Sequence, residues 1–83
     1  MAKAKFEIGE NEKHVIVVDS SVLWKRITIE LDGKKVVNKS HLIPGPEKFQ
    51  FDVGSSEKHR VEVSAGGLSP IIVSVDGKAV QGT

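Results

Sequence analysis

Apolar and polar residues alternate with a period of two along most of the chain. Phe6 and Ile8 flank Glu7, Thr28 and Glu30 separate Ile27, Ile29 and Leu31, and Gln50 and Asp52 separate Phe49, Phe51 and Val53. Such alternation turns one set of side chains toward a core and the other toward water, so these segments read as half-buried β-strands. The pattern predicts strands near 4–9, 14–19, 25–31, 34–39, 48–53, 58–64, 70–75 and 78–81. No segment keeps apolar residues at helical spacing over the length of a helix, and only 41–43 has room for a single turn. Asp32-Gly33 and Asp76-Gly77, each followed by lysine and flanked by alternating apolar residues, predict tight hairpins of type I′. That turn places Leu31 opposite Lys34 and Ile29 opposite Val36 in the first hairpin, and Val73 opposite Val80 in the second, making the valines cross-strand core partners.

The same pattern is written twice. Phe6, Gly9, Glu12, Lys13, His14, Val18 and Leu23 match Phe51, Gly54, Glu57, Lys58, His59, Val63 and Leu68 without a gap. After one residue is dropped from the second copy, Ile27, Asp32, Gly33, Lys34 and Val36 match Ile71, Asp76, Gly77, Lys78 and Val80. Between the identities, Ile8, Ile16, Ile29 and Leu31 meet Val53, Val61, Val73 and Val75. Two units, about 6–37 and 51–81, are too few for a solenoid, so each meander is expected to cover the apolar side of the other. Pro44-Gly45-Pro46 breaks the strand pattern between them. The expected fold is all-β: an antiparallel β-sandwich of about eight strands built from two repeated meander units, with residues 1–83 forming one domain.

Size agrees with a single core, because two independent cores in 83 residues would each have to close with about forty. The chain has no cysteine, so disulfide and thiolate-metal staples are excluded, and a self-association contact would add appreciably to a marginal core. A formal net charge of +1 is far from that of a chain that neutralises many phosphates. The longest apolar run, Val15 to Val18, is much shorter than the ~20 residues of a membrane span. The polar start, Met1 to Lys5, lacks the apolar centre of a signal peptide. The expectation is a soluble cytoplasmic protein with no membrane partner, and the lack of cysteine fits a reducing compartment.

Several of these segments together resemble a known family. Lys25-Arg26-Ile27, the Asp32-Gly33-Lys34 turn, the connector from Leu42 to Phe51, Val53-Gly54 and the closing segment Ile71 to Lys78 are similar to the domains of Fas apoptotic inhibitory molecule. The resemblance covers roughly residues 6–81 and rests on turns and core pattern. It implies a small β-sandwich without enzymatic activity that serves as a protein-interaction or scaffold module, and it carries over no active-site residue.

The residues themselves suggest little chemistry. His14 and His59 are repeat equivalents at strand starts and His41 lies in the connector, spacings that match no compact metal-ligand motif. Glu12-Lys13-His14 and Glu57-Lys58-His59 read as polar turn and strand-entry residues, since a charge relay would need further partners. Asp19-Ser20-Ser21 becomes Ser64-Ala65-Gly66 in the second copy, so small polar hairpin residues explain both. Gly66-Gly67 is not followed by a helix that could hold an anion. No catalytic residue, metal ligand or cofactor site is predicted.

Differences between the copies point elsewhere. Val15 and Val17, on the face opposite Ile16 and Val18, have Arg60 and Glu62 as counterparts, and Trp24 has Ser69. Val15, Val17, Val22, Trp24 and Arg26 are therefore the candidate partner-binding residues, an outward apolar patch with a cation of the kind enriched in interface hot spots. The alternative for Trp24 is a lid folded over the end of the sandwich. The expected function is a non-catalytic protein-interaction module, with a protein partner or a second copy as in a homodimer, docking on this face or on an unpaired edge strand. A weak single-stranded nucleic-acid binder using Trp24, Lys25 and Arg26 with the turn lysines Lys34 and Lys78 is the alternative, and it predicts weak, strongly salt-dependent binding.

Overall fold

The computed structural model describes residues 2–21, 25–40, 45–66 and 69–82. Each half of the chain folds into its own four-stranded antiparallel meander. The first sheet runs β1 (Ala2–Ile8), β2 (His14–Ser21), β3 (Arg26–Leu31) and β4 (Lys34–Ser40), in that spatial order. The second runs β5 (Glu47–Val53), β6 (His59–Gly66), β7 (Ser69–Val75) and β8 (Lys78–Val80), in the same order. The sheets pack face to face as a β-sandwich, β2 and β3 lying over β6, and β1 over β7. Among the described residues no helix is long and apolar enough to cross a membrane.

Alternation decides which side chains face inward. Phe6, Ile8, Ile16, Val18, Ile27 and Ile29 from the first sheet meet Val53, Val61, Val63, Ala65 and Val73 from the second, all buried. Phe6 opposite Ile16 and Phe51 opposite Val61 occupy equivalent places in the two units, although Phe51 is only half-buried. At both Asp-Gly turns the aspartate and glycine have positive φ (51° and 85° at Asp32 and Gly33, 52° and 84° at Asp76 and Gly77), the conformation of a type I′ turn.

One predicted pairing differs. Leu31 does face Lys34 and Val73 does face Val80, but Ile29 faces Val37, not Val36. The register shifts between Ile29 and Glu30, leaving Val36 as the extra residue of a β-bulge on the edge strand β4. Bulges favour such edges because the added twist costs only one ladder. Val36 is consequently 47% exposed, and Val37 packs against the core in its place. Val37→Ala is expected to lower stability by about 1–2 kcal/mol and Val36→Ala by less than about 0.5. Urea denaturation of the two variants checks this, and equal losses would contradict the bulge.

Candidate functional site

The recurring loop residues, read from sequence as generic polar positions, form a reciprocal clasp between the halves. The loop after β1 starts at Gly9 and the loop after β5 at Gly54, both with positive φ (94° and 104°). A Cβ at either glycine would lie 2.0 Å from the carbonyl oxygen three residues on, that of Glu12 or Glu57. Only glycine fits so tight a curl, and the curl aims the glutamate three residues on, Glu12 or Glu57, at the opposite loop. The Glu12 carboxylate accepts from the backbone N–H groups of Ser55 and Ser56, both at 2.8 Å, and from Ser55 Oγ at 3.2 Å. Glu57 answers by accepting from the N–H groups of Glu10 and Asn11, again at 2.8 Å.

Histidine ties each glutamate to its own hairpin. His14 Nε2 lies 2.6 Å from Glu12 Oε2 and its Nδ1 2.6 Å from Asp32 Oδ2, while Asp32 Oδ1 accepts from Val15 N–H at 2.9 Å. In the second copy His59 Nε2 lies 2.5 Å from Glu57 and Nδ1 2.6 Å from Asp76, whose other oxygen accepts from Arg60 N–H at 2.9 Å. A neutral imidazole has one N–H and one lone pair, so only the imidazolium can donate to carboxylates on both sides. Hydrogen bonding to Asp32, then to Glu12, accordingly pushes the His14 pKa up, and Asp76 and Glu57 do the same for His59. His14 in turn holds Asp32 below its ordinary value, and His59 holds Asp76. The Ser56 amide, followed by His14 and the Ser55 amide, holds Glu12 far below the usual carboxylate range. Glu57 is held at about 2, mainly by His59 and then by the Glu10 and Asn11 amides.

This arrangement binds loop to loop; its carboxylates and imidazoles are occupied by one another and by backbone amides. Among the described residues no group of three or more His, Cys, Asp or Glu side chains is disposed to hold a metal ion. His41 lies outside the described residues.

Of the predicted partner-binding residues, Val15, Val17 and Arg26 lie elsewhere, on the outer face of the first sheet. Val22 and Trp24 fall outside the described residues. Val15 and Val17 are half-buried and point away from the buried Ile16 and Val18, as alternation requires. Arg26 is exposed on the same face but stands opposite Ser21, four residues along β2 from Val17, or about 13 Å at the rise of a strand. Val17 is instead flanked across the ladders by Lys5 and Glu30. Arg26 donates from Nη1 to Asn38 Oδ1 at 2.6 Å and lines an open depression of about 330 Å³ with Asp19, Ser21 and Thr28. The face therefore carries an apolar end and a polar end.

The corresponding face of the second sheet pairs its polar side chains around Arg60 and Glu62 and carries the exposed Ile72 farther along β7. Arg60 Nε donates to Asp52 at 2.9 Å and Gln50 Nε2 to Glu62 at 2.9 Å. The chain matches no protein-family model and no curated protein.

Proposed function

We propose that the chain is a non-catalytic protein-interaction or scaffold module, similar in kind to the Fas apoptotic inhibitory molecule domain, whose partner docks on the outer face of the first sheet. The observation that carries this reading is the contrast between equivalent outer positions. One sheet presents Val15 and Val17 where its twin presents Arg60 and Glu62. The twin shows that the meander forms with charges there, so folding does not require valine at these positions. Half-buried apolar residues on the outer sheet face, rimmed by Lys5, Glu7 and Glu30, have the composition of an interface core with a polar rim. A cytoplasmic setting belongs to the same reading and is supported by the cysteine-free chain.

Val15→Arg with Val17→Glu writes the second sheet's own residues into the first. Stability is expected to change by less than about 0.5 kcal/mol per site. Affinity capture from the native host, and light scattering for self-association, should show a specific protein or a second copy bound to the wild type and lost from the double variant. Identical capture profiles and identical mass for the two proteins would rule out this face.

A further inference from the structure

Each sheet is made of consecutive strands, and among the described residues no strand of one pairs with a strand of the other. In covalent terms only residues 41–46 join the last strand of the first sheet to the first strand of the second. Among the described residues the rest of the interface is side-chain packing, the two clasps and, beside the connector, an ion pair between Lys39 of β4 and Glu47 of β5. Each loop offers both halves of a clasp, a glutamate to give and backbone N–H groups to receive. The clasp alone would thus let any half join any other.

The core is more selective. At three matched buried positions the first sheet carries isoleucine, Ile8, Ile16 and Ile29, where the second carries valine, Val53, Val61 and Val73. Two first halves face to face would force a surplus methylene into the core at each position, and two second halves would leave a void at each. One of each fills the space, and nothing in that rule requires both to come from one molecule.

We infer that two copies of this chain form a half-exchanged dimer, in which the first sheet of each packs on the second sheet of the other and both clasps are remade between chains. Glu12 of one molecule then holds the Ser55 and Ser56 amides of its partner copy. Monomer and exchanged dimer contain the same sheet-to-sheet contacts, so protein concentration and the reach of residues 41–46 set the balance. The outer face plays no part, and loss of binding there leaves this inference intact.

Complementation tests it on full-length chains. Ile29 and Val63 are fully buried, so Ile29→Asp or Val63→Asp places a charge in the core and each variant alone is expected to be unfolded. Refolded together, they can rebuild one intact sandwich, from the first half of the Val63→Asp chain and the second half of the Ile29→Asp chain. A one-to-one complex of twice 9.0 kDa, with β circular dichroism and cooperative unfolding absent from either chain alone, is the expected result. Docking through outer faces cannot produce it, because neither chain holds an intact sandwich. A second measurement uses the wild-type sequence without residues 42–44, which should be a folded dimer by light scattering. A mixture that stays unfolded, or a shortened chain that is a folded monomer, overturns the inference.

Discussion

Gly9→Ala is expected to destabilise the domain by on the order of 3 kcal/mol, a large share of what a small core supplies. A positive φ by itself costs an L-residue about 1–2 kcal/mol, and Gly33 in the hairpin turn measures that cost, since nothing lies within 4 Å of where its Cβ would be. Gly9 differs because its Cβ would meet the Glu12 carbonyl at 2.0 Å and the Glu57 carboxylate at 3.3 Å. The loop must uncurl to admit the methyl, and Glu12 then loses its aim at the Ser55 and Ser56 amides. Gly54→Ala should act alike, with the Glu57 carbonyl at 2.0 Å and Glu12 Oε2 at 3.1 Å. Chemical denaturation of Gly9→Ala beside Gly33→Ala measures the difference. Equal losses at the two glycines would mean that loop curl does not support the clasp.

Stability is expected to be greatest between about pH 4.5 and 6.5 and to decline on either side, even though the sequence pI is about 8.0. The raised pKa values of His14 and His59 mean that the folded state holds their protons more tightly than the unfolded chain does. Their contribution is complete below the ordinary value of 6.5 and is lost as pH rises through the raised values. The lowered carboxylates contribute above 4.5 for Glu12 and Glu57, and above 3.8 for Asp32 and Asp76, and lose that contribution as pH falls through their folded-state values. Denaturation midpoints across pH should fall above 6.5 in the wild type. A His14→Gln, His59→Gln variant should be less stable at pH 6 and lose that alkaline slope. A wild-type profile that is flat or rising above pH 6.5 would show that the bridges do not depend on imidazolium.

The strands and hairpins were legible because they depend on local facts. Period-two alternation located every strand to within two residues at most ends, and Asp-Gly fixed both turns through their positive φ. The bulge was not legible: whether Val36 or Val37 faces Ile29 is settled by how an edge strand twists against its neighbour, and both residues are valine. The clasp escaped for a different reason. The partners of Glu12 are backbone amides 43 and 44 residues away, and an amide leaves no mark in a sequence. The signal available was the repeat itself, which keeps Gly, Glu and His while Glu10-Asn11 becomes Ser55-Ser56. Lys13 and Lys58 are kept as well, and both are exposed, so the repeat marks the loop without marking which of its residues reach across. On the outer face, alternation placed Val15, Val17 and Arg26 on one side correctly, but the distance between the valines and the arginine depends on the β2–β3 register, which puts Arg26 opposite Ser21.

Amide hydrogen exchange in a Glu12→Ala variant addresses the reciprocal clasp most directly, because the side chain and the amides it holds belong to different sheets. The Ser55 and Ser56 amides should exchange slowly in the wild type and fast in the variant, while those of Glu10 and Asn11, held by Glu57, remain slow. Unchanged protection at Ser55 and Ser56, or losses confined to the loop that carries Glu12, would contradict a clasp that joins the two halves.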